Sequence, residues 1–340
     1  VFELHARNAC DDLVTGDFLT GDNLFEDCIF NNSVASLRWI GYSTFTLRNI
    51  TWIGGSLKLI NASDALFEVQ SCHWTSMSHA LLFEPTGTVT ASNVTVQIDN
   101  TTIDVIGGSA VAFVGGFTVV TNVALVVINS NVSARGTVPN IASVAMLLSP
   151  GSIAAVSNFT LIAEGSNIRA EGLAHIAAMS IMQRREGPLN SLRANGIRIF
   201  VNSASQVTST ATQWAASCSI ASFGDVAATN VQFLISDASI DARASLQSAA
   251  VAASILAETG TLTVLMMNST VEKSTVSAFC AVHYAAAIAL VNYNSGSASL
   301  SQISMHVKSS LVRSTAGQSI GVAVGALSDA PIQALDVHIV

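Results

Sequence analysis

The chain has 340 residues, half of them apolar and only 11% charged, with a net charge of −8 at pH 7 and a mean hydropathy of +0.52. Its 14 Lys and Arg are scattered and form no basic stripe, which excludes nucleic acid as a partner. The longest apolar stretch, residues 276–291 (VSAFCAVHYAAAIALV), is too short for a membrane span and is broken by Ser277 and His283, so it reads as buried strand.

The first 22 residues carry Asp11, Asp12, Asp17 and Asp22, with Glu26 and Asp27 just after. Their spacing fits no EF-hand loop, and residues 1–24 read as a solvated, irregular, acidic end. Cys10 and Cys28 flank this end and are candidates for a disulfide that staples it. Cys72, Cys218 and Cys280 fall inside strand patterns, where a buried thiol acts as a small apolar residue. No CxxC pair occurs, so a zinc or redox motif is not expected.

From 25 to 87 the pattern predicts short coils. Phe25, Phe45 and Phe67 recur at spacings of 20 and 22, the length of three short strands with tight turns. Trp39, Trp52 and Trp74 fall in the same region. They are candidate contacts for a sugar, or else core residues of the wider end.

From 88 to 340 a longer unit repeats. Residues 93–116 read NVTVQIDNTTIDVIGGSAVAFVGG: alternating apolar residues, a polar turn, then a small-residue strand closed by glycine. Copies begin at Val94, Val123, Phe159, Ile197, Val231, Leu262 and Ile303, at intervals of 29, 36, 38, 34, 31 and 41, and Leu335 opens a last one. A second apolar residue follows nine positions on, as in Val94/Ile103, Val123/Val132, Phe159/Ile168 and Leu262/Val271. Strand-turn-strand units of this period predict an all-β fold, a parallel β-helix (β-solenoid) forming one elongated domain, with coils of about 20–22 residues first and about 35 after 88.

The second arm of each long coil is rich in Ala and Ser, as in IASVAMLLSPG and AHIAAMSIM. Apolar residues occupy positions that should point outward, so this arm is expected to be covered on both faces. A neighbouring solenoid, another part of the same protein and a lateral partner are all candidates for the cover. The polar residue before each copy recurs as Asn93, Asn122, Asn158 and Asn230, with Gln302 and Asp336 later, and predicts a stacked amide row.

Sequons occur at Asn31, Asn49, Asn61, Asn93, Asn100, Asn131, Asn158 and Asn268, which points to a secreted or cell-surface glycoprotein bearing N-linked glycans. The chain has no signal peptide at Val1 and stops in mid-repeat at Val340, so a fragment of a longer protein is expected.

Catalytic chemistry on such a scaffold needs paired acids in a cleft. Asp237 and Asp241 are the nearest pair, and they flank a turn where Asp is ordinary. Cys72, His73 and His79 fit no common zinc spacing. There is no GxSxG and no P-loop. No catalytic residue, cofactor or metal site is assigned.

The runs NVTVQIDNTTIDVIGGSAVAFVGG, NVALVVINSNVSA and NFTLIAEGSNIRA resemble the repeats of very large surface proteins of kinetoplastid protists. These are the dispersed-gene-family type and the membrane-associated relatives in free-living bodonids. The resemblance covers roughly residues 88–340. It implies a glycosylated, β-helical, adhesive ectodomain, longer than this chain, with no catalytic residues to carry over. On that reading the membrane is reached only through parts not present here.

Three functions follow in order of preference. The first is a non-enzymatic structural or adhesive rod, which self-associates end to end or along the Ala-rich face or continues into further coils. The second is a carbohydrate-active β-helix enzyme (polysaccharide lyase or glycosidase) with its site in the N-terminal coils. The third is a non-catalytic glycan-binding module built on the Trp residues.

Overall fold

The computed structural model describes residues 4–7, 19–31, 34–60, 62–84, 89–115, 117–148, 153–183, 190–245, 249–292, 296–317, 320–328 and 331–340. Among these there is no helix. Every strand pairing is parallel, and each coil lies on the one before it, as the repeat period predicts. The chain is a β-solenoid whose coils have three arms. The second arm forms a separate 10-stranded sheet. The first and third arms are joined through the long strand Val34–Arg48 into a 25-stranded sheet.

The solenoid forms because each coil repeats the same inward side chains. In the second sheet one buried column runs Phe30, Trp52, Trp74, Ile103, Val132, Ile168, Val207, Ile240 and Val276. Wide rings fill it in the short coils and β-branched residues fill it in the long ones. Trp52 and Trp74 stack at 4.3 Å with 2° between their planes, and both are buried. The sugar-contact expectation for these two therefore fails: their faces lie against each other in the core. The side chain of Trp39 lies outside what the structure describes.

Each long strand of the first arm bends at one residue with a positive φ. Asp64, Asn93, Asn122, Asn158, Gly196, Asn230, Met266, Gln302 and Asp336 occupy this corner, with φ between 50° and 65°. The left-handed residue resets the pleat, so residues three apart face the same way. Val120 and Val123 are both buried on either side of Asn122, as are Ala91 and Val94 around Asn93.

This corner corrects two repeat boundaries. Val231 pairs with Met267, not Leu262, and Ile303 pairs with Val337, not Leu335. The intervals of 31 and 41 thus become 36 and 36, and the step from Ile303 to its partner Val337 is 34. The nine-residue partner of Met267 is accordingly Val276, not Val271, since Ile240 pairs with Val276. Sequence reading slipped there because Met266 holds the corner where Asn stands elsewhere, and because Ser269 fills an inward, buried position. The short coils are 22 residues long: Asn23, Phe45 and Phe67 align, while Phe25 aligns with Leu47. Strands Leu4–Arg7 and Leu19–Glu26 already pair in parallel, so the stack begins within the stretch expected to be irregular.

The third arm lengthens from Asn140 onward into two short strands with a kink between them, as in Asn140–Ala142 and Val144–Leu148, then Trp214–Ala216 and Ile220–Ser222. Serines line the kink. Ser143, Ser180, Ser217, Ser219 and Ser254 are fully buried, and Ser180 Oγ donates to the Ser217 carbonyl at 2.8 Å. Both faces of this arm are buried. The inward side chains join the main core, while Ala145, Leu147, Met182, Trp214 and Leu256 form a second apolar cluster on the outer side. That burial is complete within a single chain, so the Ala-rich arm needs no lateral partner to cover it.

Candidate functional site

Among the described residues, polar side chains are arrayed in rows at two corners and on the outer face of the second sheet. At the first corner the amides form the row expected from sequence as far as Asn158, and Gly196 and Met266 interrupt it before Asn230 and Gln302. Asn93 Nδ2 donates to Asp64 Oδ1 at 2.7 Å, Asn122 to Asn93 at 2.9 Å and Asn158 to Asn122 at 2.9 Å. Asn suits this position twice over, since its side chain tolerates a left-handed backbone and bonds its counterpart one rung away. Gly196 ends the run of side chains.

The second corner, between the first and second arms, was not foreseen. It is also left-handed, with Asp27, Asn49, Ser71, Asn100, Asn129, Gly165, Ala204, Asp237, Lys273 and Ser309 at positive φ. The residue after each is a buried hydroxyl in most long coils. Thr101, Ser130, Ser166 and Ser205 each accept the backbone N–H of the preceding coil's counterpart at 3.0–3.1 Å. Each also donates to a carbonyl of its own turn, as Ser166 does to Glu164 at 2.8 Å. The sequence signal was present as N-T, N-S and G-S pairs seven residues after the first corner, but a single Ser in a Ser-rich chain does not stand out.

The outer face of the second sheet carries rows of polar side chains. One row is His73, Thr102, Asn131, Asn167, Gln206, Ser239 and Thr275. In the next row Asp104 binds Ser133 Oγ at 2.5 Å and Arg135 at 3.2 Å, and Asp241 binds Ser277 Oγ and Arg243, the latter at 2.5 Å. Asp237 sits at the corner, on a different row from Asp241, so the two do not form an acid pair. Arg169 pairs with Glu171 at 2.8 Å.

Cys72 points into the core beside His73, which points out, and no group of three metal-ligating side chains occurs among the described residues. Burial pushes the Cys72 thiol up to about 11, against backbone hydrogen bonds that oppose it, and burial raises Cys218 further. Cys28 is disulfide-bonded, while Cys72, Cys218 and Cys280 are free and buried. Cys10, the expected partner of Cys28, lies outside the described residues, as do Asp11, Asp12 and Asp17.

Seven of the eight sequon asparagines are described: Asn31, Asn49, Asn93, Asn100, Asn131, Asn158 and Asn268. All seven are exposed. Asn49, Asn93, Asn100 and Asn158 stand at the corners, Asn31 and Asn131 on the second sheet, and Asn268 on the first. Asn61 lies outside the described residues. No described helix is long and apolar enough to cross a membrane.

Compared with known proteins, the chain matches no family model, no curated protein and no solved structure.

Proposed function

We propose that this chain is a non-enzymatic, glycosylated rod of an extracellular or cell-surface protein, with a structural or adhesive role. The observation that carries the reading is the exposure of all seven described sequon asparagines on a solenoid whose interior column has no break. Exposure leaves each of these asparagines accessible to a glycosyltransferase, as a buried sequon would not be. The resemblance to kinetoplastid surface repeats points the same way.

The rod is stiff because each rung is tied to the next by strand pairing, with side-chain hydrogen bonds added where the corner ladders run. Twelve stacked strands in the first ladder give a length of roughly 50 Å at about 4.8 Å per rung. We include association along the axis, with further coils or a second copy, in the same proposal.

The test is expression in a glycosylating eukaryotic host, with intact mass and site mapping before and after enzymatic deglycosylation. Occupancy at most of the seven sites, on a particle that is elongated by small-angle scattering, is the expected result. Unmodified sequons in the secreted product, or turnover of any member of a polysaccharide panel, would overturn the reading.

A further inference from the structure

Where the second corner loses its side chains, the surface opens into a trough. Upstream the corner is closed by its own ladder: Asn49 Nδ2 donates to Asp27 at 2.9 Å and Asn100 Nδ2 to Ser71 at 3.3 Å. Asn129 is followed by Gly165 and Ala204, which offer the ladder no partner. A Cβ at Gly165 would stand 2.6 Å from Asn129 Oδ1, so any larger residue there would fill the space. The result is a cavity of about 470 Å³ across four rungs, within the size range of small-molecule sites. One wall is Asn100 and Asn129, and the other is Asn131, Asn167 and Gln206.

Three features define what fits. No charged side chain lines the trough. The amides of Asn131, Asn167 and Gln206 are exposed and make no hydrogen bond to any described residue, in contrast to the mutually bonded amides of the first corner. Their repeat is one rung, about 4.8 Å, comparable to the length of one pyranose unit. Each amide offers a donor and an acceptor side by side, the complement of neighbouring hydroxyls on a sugar ring.

We propose that this trough binds an uncharged oligosaccharide lying along the solenoid axis. The inference does not use the tryptophans, and only its own-glycan source rests on the glycosylation proposed above. Two sources can supply the ligand: a separate glycan chain, or this chain's own N-glycan, since the sequons Asn100 and Asn131 stand on the two walls.

The experiment uses the full chain from a non-glycosylating host, titrated with short neutral gluco-, manno- and galacto-oligosaccharides and followed through the side-chain amide signals in NMR. A second arm uses the glycosylated chain and its Asn131→Gln variant. Saturable shifts of the Asn167 and Gln206 amides, weakened about tenfold or more in Asn167→Ala/Gln206→Ala, support a separate glycan as ligand. Both positions are exposed, and circular dichroism checks that the variant folds. No response to free sugars, with Asn167 and Gln206 amides shielded in the glycosylated chain and released in Asn131→Gln, supports the chain's own glycan. Binding unchanged by the double substitution overturns the proposal, as does the absence of effect in both arms.

Discussion

At the scale of the residue, the corners carry more of the fold than their size suggests. Ser166 is buried, accepts the N–H of Ser130 and donates to Glu164. Ser166→Ala leaves that buried N–H without a partner and should cost about 1–3 kcal/mol, read as a lower urea midpoint. Met266 is the opposite case. It holds φ at 59° with a side chain that prefers a right-handed backbone, where its neighbours in the row are Asn230 and Gln302. Met266→Asn should raise stability by about 1 kcal/mol, and a lower midpoint would show that the Met contacts outweigh the strain. His79 gives a pH dependence. Burial, with Lys58 acting in the same sense and Glu84 against it, holds its pKa below the ordinary value, and its Nδ1 accepts the Ser109 N–H at 3.0 Å. The unfolded chain takes up a proton near pH 6.5, where the folded ring resists it. This contribution to stability is therefore full above that pH and is lost as pH falls from there towards the lower folded pKa. His79→Asn keeps an acceptor and should flatten that part of the stability profile relative to wild type.

At the scale of the element, the strands were legible and the corners only in part. Period-two runs such as residues 94–98 located the first arm, because one face of that arm meets solvent and the pattern is clean. The third arm is buried on both faces, so its run of Ala, Ser and Ile located a strand without showing which side chains face the core or where the kink at Ser143 and Ser217 falls. Asn at a corner was visible, but Gly196 and Met266 in the same slot were not, since the backbone geometry is common to all three and the residue type is not. The aromatic column was visible as composition, with sugar contact and core both open, because spacing does not tell which face of a strand a Trp occupies. Its placement now makes a prediction. Trp74 stacks on Trp52, sits above Ile103 and donates Nε1–H to the Gly55 carbonyl at 3.1 Å. Trp74→Ala should cost about 3–5 kcal/mol, as for other buried large-to-small changes. Trp74→Phe, which keeps most of the volume and loses the hydrogen bond, should cost much less.

At the scale of the whole molecule, the question is how far such a lesion travels. Each rung touches only the rungs beside it, so stability is a sum of local terms and nearest-neighbour interfaces, not one global quantity. A compact two-state domain would lose protection everywhere when Trp74 is truncated, because all its amides exchange through the same unfolding. A solenoid should lose it locally. In hydrogen exchange, Trp74→Ala should strip protection from Thr51–Ile53, His73–Ser76 and, less, Thr102–Ile106. Strands Ala249–Val251 and Ile255–Ala257, many rungs away, should exchange as in the wild type. Uniform loss across both regions would mean that the rungs unfold as one cooperative unit. The rod would then owe its stiffness to a global core, and the picture of independent, stacked coils would fail.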